Sequence, residues 1–225
     1  MLAHDYRRAV EIADAHPKRV RKNPELRHNV ALARALSGDR RRAIADMRQL
    51  IHDVPKFQLA ALSLAMSLLD EDAEEAASVA AGAASKLKNE SGPRAIQARA
   101  LRRLGRTAEA DDVIQRALKL APDDGCVLAL AAGVAADRGE HGQAAELLER
   151  ALSCAPGDAF CLVIAAELTL ATGTQEEAIA AVEKATEAAG HSPLAFLGGE
   201  IARLRTHPAV AERFAVAEEL VWDAE

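Results

Sequence analysis

Small and apolar residues recur along the chain with a period of 33 or 34 residues. One register is occupied by alanine throughout: Ala9, Ala43, Ala77, Ala110, Ala144, Ala178 and Ala211. Larger apolar residues follow four positions later in several copies, as at Met47, Ile114, Leu148 and Val182. Small residues follow after seven positions, at Ala84, Ala117, Ala151 and Ala185. Because positions i, i+4 and i+7 share one face of an α-helix, each copy predicts an amphipathic helix.

A second series of small residues lies 12 positions before the first: Ala31, Ala65, Ala98, Ala132, Ala166 and Gly199. Two antiparallel helices cross closely only where neither presents a bulky side chain. Between the two series lie Gly38, Gly105, Gly139 and Gly173, where a left-handed backbone is expected to end the first helix. Pro55, Pro122 and Pro156 end their units. The pattern predicts a repeated helical hairpin.

With small residues, a turn glycine and a closing proline in this order, the sequence resembles the tetratricopeptide repeat family. The match is strongest in SGPRAIQARALRRLGRTAEADDVIQRALKLAPDD and GCVLALAAGVAADRGEHGQAAELLERALSCAPGD. The resemblance implies an all-α fold, an α-solenoid in which about six antiparallel helix pairs form a right-handed superhelix. Residues 1–23 are expected to form an N-terminal capping helix or half repeat ahead of a repeat domain at 24–225. Its units are expected near 24–57, 58–90, 91–124, 125–158, 159–191 and 192–225.

The resemblance also implies a concave groove, lined by the first helices, that holds a peptide or helix of a partner protein. The residues that it places there are His28, Leu32, Leu36, Leu62, Met66, Leu69, Arg99, Arg102, Arg103, Asp137, Val163, Glu167 and Leu170. Arg99, Arg102 and Arg103 could grip a carboxylate, or could be solvated surface residues. The apolar row from Leu32 to Leu69 could seat an amphipathic helix, or could be buried against the adjacent repeat.

We expect a protein or peptide partner, with acidic character suggested by the charge distribution and apolar character by the row from Leu32 to Leu69. The net charge is -6, and a nucleic-acid partner is not expected without a broadly basic surface. Residues 1–56 are nevertheless basic, with 13 Lys or Arg against 7 Asp or Glu. The stretch from Lys18 to Lys22 has no interleaved aromatic residues, which favours a solvated loop over a nucleic-acid patch.

Candidate chemistry is sparse. The three cysteines, Cys126, Cys154 and Cys161, lack CxxC spacing, so we expect small buried side chains and neither a disulfide nor a zinc site. No helical pair of histidines and no glycine-rich phosphate loop is present, so no catalytic, cofactor or metal site is expected. No run of 18 apolar residues could cross a bilayer, and a cytoplasmic location is the expectation.

The sequence therefore predicts a non-catalytic scaffold or adaptor. Two alternatives remain open. The chain could be the substrate-positioning repeat domain of a larger enzyme or transferase. It could also self-associate into a homo-oligomer through its end helices, since Tyr6, Ala9, Val10 and Ala13 form an apolar stripe with no preceding helix to cover it.

Overall fold

A computed structural model describes residues 2–190 and 197–215, and every regular element in these ranges is a helix. The chain divides between Val113 and Ile114 into two compact units. The helices of the first unit are α1 (Leu2–Ala15), α2 (Pro17–Arg21), α3 (Pro24–Leu36), α4 (Arg40–Asp53), α5 (Gln58–Leu68), α6 (Ala73–Lys86) and α7 (Gly92–Arg103). Helix α8 (Thr107–Leu120) contains the division between the units.

The second unit continues with α9 (Gly125–Asp137), α10 (His141–Cys154), α11 (Ala159–Thr172), α12 (Gln175–Gly190) and α13 (Leu197–Arg205). Helices α9 and α10 lie within residues 125–158, and α11 and α12 lie within residues 159–191. The predicted unit at 192–225 lies partly outside the described residues. The packing expected of Gly199, as a small residue at a helix crossing, also lies outside them.

Polar side chains define where many of these helices begin. Asn23, Asp39 and Asp72 precede α3, α4 and α6, and each side chain accepts a hydrogen bond from the backbone N–H three residues later. Asp124 and Asp158 do the same for α9 and α11. Such caps satisfy backbone donors that have no partner inside the helix, so these five polar residues mark where their helices begin.

In both compact units, the first helix of a repeat packs against the second helix of the same repeat. These pairs are α3 with α4, α5 with α6, α9 with α10 and α11 with α12. Most members of both predicted series of small residues are buried, as at Ala65, Ala77, Ala132 and Ala144, whereas Ala9 is exposed and Ala211 is half-buried. The larger series is buried at Met47, Ile114 and Val182, whereas Leu148 is half-buried. The predicted helical hairpins are confirmed.

Two sequence expectations need correction. Gly38, Gly105 and Gly139 have positive φ angles as predicted, but Gly173 is extended, with φ −91° and ψ 178°. A Cβ on Gly173 would lie 2.8 Å from Thr169 Cγ2, so this glycine permits a close approach and not a left-handed turn.

The cysteines were also expected to be small buried side chains. Cys161 is buried, but Cys126 and Cys154 are exposed. Both exposed cysteines stand at the ends of their helices, Cys126 as the second residue of α9 and Cys154 as the last of α10, where fewer neighbours cover a side chain.

Candidate functional site

Most of the predicted groove residues of the first unit lie on its first helices, α3, α5 and α7. Helix α5 contacts both α3 and α7, so the three helices lie side by side. Leu32 and Leu36 on α3 and Leu62 and Met66 on α5 are half-buried. Leu69, which follows the last residue of α5, is buried. Four of the five apolar residues thus keep part of their surface in contact with solvent.

His28 connects α3 to α5. Its Nε2 lies 2.8 Å from Ser63 Oγ, and its ring meets the Phe57 ring edge-on at a centroid distance of 5.7 Å. Burial lowers the pKa of His28, while a hydrogen bond with Asn29 acts in the opposite direction. Burial therefore favours the neutral form of the ring, and the ring joins two first helices.

The three predicted groove arginines lie on α7. Arg99 is buried, and Arg102 and Arg103 are half-buried. Arg103 Nη2 lies 2.9 Å from Asp70 Oδ1, and Arg40 Nη1 lies 3.4 Å from Asp70 Oδ2. Arg99 and Arg102 also have partners within the chain. An internal carboxylate therefore already offsets part of the positive charge predicted here.

The predicted groove residues of the second unit differ in exposure. Asp137, the last residue of α9, is exposed, and Val163 is fully buried. Glu167 is half-buried and its Oε1 lies 2.5 Å from Arg203 Nη2. Leu170 is half-buried and lines a small cleft with Gly173, Thr174, Gln175, Ala178 and Ala209.

A second apolar surface lies at the beginning of the chain. Helices α1, α2 and α3 enclose a cleft of about 340 Å³ whose lining includes Ala9, Ala13 and Val30. Ile12, at its edge, is 57% exposed. Arg34 fixes α1 beside this cleft by pairing with Asp14 of α1 and Asp46 of α4.

Sequence reasoning missed one cluster of side chains. Cys126 Sγ lies 3.7 Å from Asp158 Oδ1, and the same oxygen accepts a hydrogen bond of 2.9 Å from the backbone N–H of Cys161. One ligand atom from each of the three residues lies within 4.8 Å of the others. The interaction with Cys126, together with burial, raises the pKa of the Cys161 thiol. The signal in the sequence is that Cys126 and Cys161 occupy nearly the same place in successive repeats.

Comparison with known proteins agrees with the repeat pattern. Residues 95–124 match the family model described as tetratricopeptide repeat. A search of the curated proteins finds no match. Among the described residues, no helix has the length and apolar character needed to span a membrane.

Several solved structures share the fold. TTC0263, a thermophilic TPR protein of Thermus thermophilus, is 19% identical with a TM-score of 0.66, and the match covers 82% of this chain and all of that one. A tetratricopeptide repeat protein from Parabacteroides merdae is 16% identical with a TM-score of 0.69, covering 92% and 78% of the two chains. MamA from Desulfovibrio magneticus is 17% identical with a TM-score of 0.54, covering 68% and 94%. The resemblance to tetratricopeptide repeat proteins and the fold class, an all-α solenoid, are confirmed.

Proposed function

We propose that this chain, which has the fold of tetratricopeptide repeat proteins, is a non-catalytic scaffold or adaptor that binds an apolar face of a partner peptide or helix. The observation that carries the proposal is the apolar row, which we define as Leu32 and Leu36 on α3 with Leu62 and Met66 on α5. All four side chains are half-buried, and they lie on two adjacent first helices.

The spacing within the apolar row favours a helical partner. Leu32 and Leu36 are four residues apart, as are Leu62 and Met66, so each pair lies along one helix face. Two such pairs on neighbouring helices provide a surface onto which a partner helix could lay its own apolar face. Methionine suits this role because its flexible side chain adapts to different partner surfaces.

Charge contributes selectivity to the same surface. Residues 1–56 carry a positive excess, which would steer a partner with acidic flanks toward α3 and α5. Arg103 is paired with Asp70, so we assign the arginines of α7 a supporting role and the apolar row the main contribution to binding.

The test compares two charge insertions on the first helices. A Leu32→Glu/Met66→Glu double variant places carboxylates in the apolar row, and Leu59→Glu is the matched control, because Leu59 also lies on α5 but is already 52% exposed. Partners captured from the native lysate by the wild-type chain are identified by mass spectrometry and their binding is then measured with purified proteins. We expect at least tenfold weaker binding for the double variant and unchanged binding for the control.

Circular dichroism and thermal unfolding of each variant show whether the solenoid is intact. If a folded double variant binds its partner as tightly as the wild type, the apolar row is not the binding surface. A Leu32→Ser/Met66→Ser pair, which adds no charge, provides the same comparison if the glutamates reduce stability.

A second candidate function is self-association through α1. The exposed side chain of Ile12 and the apolar cleft beside α1 favour it. Light scattering at increasing concentration tests it with Ile12→Glu as the variant. A wild-type chain that remains monomeric at the highest concentration would exclude this candidate, and a dimer abolished by Ile12→Glu would support it.

A further inference from the structure

Two thiols and one carboxylate of the second unit come together where α9 and α11 begin. Cys126 is the second residue of α9, Asp158 is the N-cap of α11, and Cys161 is the third residue of α11. Their ligand atoms all lie within 4.8 Å of one another. These residues are brought together by the stacking of successive repeats, because Cys126 is 32 residues from Asp158 in the sequence.

The helix cap explains only part of this cluster. Asp124, which occupies the equivalent place one repeat earlier, caps α9 by accepting a hydrogen bond from Val127 N at 3.0 Å. A capping aspartate is therefore a regular feature of the repeat, but the earlier copy has valine where Cys161 stands in the later one. Neither thiol is needed for the cap.

One separation in the cluster matches that between two ligands of a tetrahedral ion. With zinc–sulfur bonds of about 2.3 Å and zinc–oxygen bonds of about 2.1 Å, sulfur and oxygen ligands lie about 3.6 Å apart and two sulfur ligands about 3.8 Å apart. Cys126 Sγ and Asp158 Oδ1 are separated by 3.7 Å. The other two separations are at most 4.8 Å, so an ion would have to draw these ligand atoms together by up to about 1 Å.

We propose that Cys126, Asp158 and Cys161 form a binding site for a thiophilic divalent cation of the zinc class, with water completing a tetrahedral coordination. Two thiolates and one carboxylate favour zinc over magnesium or calcium, which prefer oxygen ligands. The site differs from the expectation drawn from local cysteine spacing, because its ligands come from two repeats.

The surroundings suit this role. Cys161 is buried and anchors one side of the site, while Cys126 is exposed and leaves a path for the ion. The backbone N–H of Cys161 donates to Asp158 Oδ1 and so fixes the orientation of that carboxylate before the ion arrives. A carboxylate oxygen has a second lone pair available for a metal. A bound ion would join the first helices of two successive repeats and raise the thermal midpoint of unfolding.

The experiment measures binding of Zn²⁺ and Co²⁺ to the full chain, purified without metal and kept under a phosphine reductant. We expect one Zn²⁺ per chain by calorimetry, and we expect bound Co²⁺ to show thiolate charge-transfer absorption and the strong visible bands of tetrahedral coordination. Cys126→Ser and Cys161→Ser should abolish the charge-transfer signal or weaken binding at least a hundredfold.

Two matched variants make the result specific. Cys154→Ser removes an exposed thiol outside the cluster and should leave binding unchanged. Asp158→Asn keeps an oxygen that caps α11 while it removes the negative charge, and should weaken binding at least tenfold with little change in helicity.

Several outcomes would overturn the proposal. These are a reduced wild-type chain that takes up no Zn²⁺ at micromolar concentration, a folded Cys126→Ser variant that binds as the wild type does, or loss of binding in Cys154→Ser. The proposal would also be overturned by a reduced chain that does not bind Zn²⁺ but forms a Cys126–Cys161 disulfide on mild oxidation. That result would identify the two cysteines as a redox-active thiol pair. Because Cys126 is exposed, Cys126→Ser is expected to fold. It therefore tests the proposal even if Cys161→Ser does not fold.

Discussion

His28 and Ser63 form a hydrogen bond of 2.8 Å that joins the first helices of two successive repeats. The histidine lies one helical turn before Leu32, and Ser63 directly follows Leu62, so this bond helps to set the spacing of the apolar row. It is a polar contact between a buried and a half-buried side chain, and burial lowers the pKa of the His28 imidazole.

The lowered pKa of His28 predicts a pH dependence of stability. The folded-state pKa lies below the unfolded value near 6.5, so the unfolded chain binds the proton more readily. The contribution of His28 to the free energy of unfolding is therefore complete above that unfolded value and is lost as the pH falls through it toward the folded pKa. Urea denaturation across this range should show a smaller decrease for His28→Gln than for the wild type.

The control for this prediction is His141→Gln, since His141 is exposed at the start of α10. Its pH profile should follow that of the wild type. Equal profiles for the wild type and His28→Gln would show that burial of His28 does not contribute to the pH dependence.

Arg34 is predicted to hold α1 on the first unit. Its guanidinium pairs with Asp14 of α1 and Asp46 of α4, and its side chain is only 10% exposed. Arg34→Met should lower the free energy of unfolding by about 1–3 kcal/mol, since it leaves two carboxylates without their shared partner. The partial exposure of both carboxylates keeps the cost below that of a fully buried pair.

Hydrogen exchange identifies where the Arg34→Met effect is located. Amides of α1 should exchange faster in the variant, while those of α9 and α10 should be unchanged. Arg34→Lys is the conservative comparison, because a single ammonium cannot form the same forked contacts with two carboxylates and should give an intermediate result. Uniform acceleration throughout the chain would contradict a local anchoring role.

The small residues at the helix crossings predict sensitivity to added volume. Ala144 is buried on α10, in the pair formed with α9, and its neighbour Ala145 is exposed. Ala144→Leu should destabilise the chain by about 1–3 kcal/mol because it overpacks the crossing. Ala145→Leu should change stability by no more than about 0.5 kcal/mol. Chemical denaturation of both variants tests this, and equal effects would contradict the assignment of the crossing.

The helix pairs could be predicted from sequence because the spacing of small residues directly reflects the packing of the hairpin. Ala65 and Ala77, twelve residues apart, are both buried for this reason. The exposure of the first-helix residues could not be predicted in the same way. Arg99 is buried and Asp137 exposed, although both belong to the predicted groove set: Arg99 lies within α7, whereas Asp137 is the last residue of α9.

The cysteine cluster could not be recognised from short motifs. Local spacing of the CxxC kind describes ligands in one turn or loop, whereas Cys126 and Cys161 become neighbours only through the stacking of α9 and α11. Gly173 shows a related limit. Its position after the first helix resembles that of Gly139, but the close approach to Thr169, and not a positive φ, is what requires glycine there.

Two glycines around the turn between α9 and α10 are predicted to respond in opposite directions to the same substitution. Gly139 has a φ of +79°, and the turn is closed by a 2.9 Å hydrogen bond from Glu140 N to Ala135 O. Gly142 is the second residue of α10. An added Cβ would meet no atom within 4 Å at either position, so steric contact with neighbours does not separate them.

Backbone conformation alone should therefore determine whether each substitution stabilises or destabilises the chain. Gly139→Ala places an L side chain in the left-handed region and should cost about 1–2 kcal/mol. Gly142→Ala replaces the poorest non-proline helix former in a helical position and should stabilise the chain by about 0.5 kcal/mol. Thermal and urea unfolding of the two single variants provide the comparison. A stabilised Gly139→Ala variant would show that this turn does not need its left-handed conformation, whereas opposite signs would establish that glycine sets the hairpin geometry through its backbone.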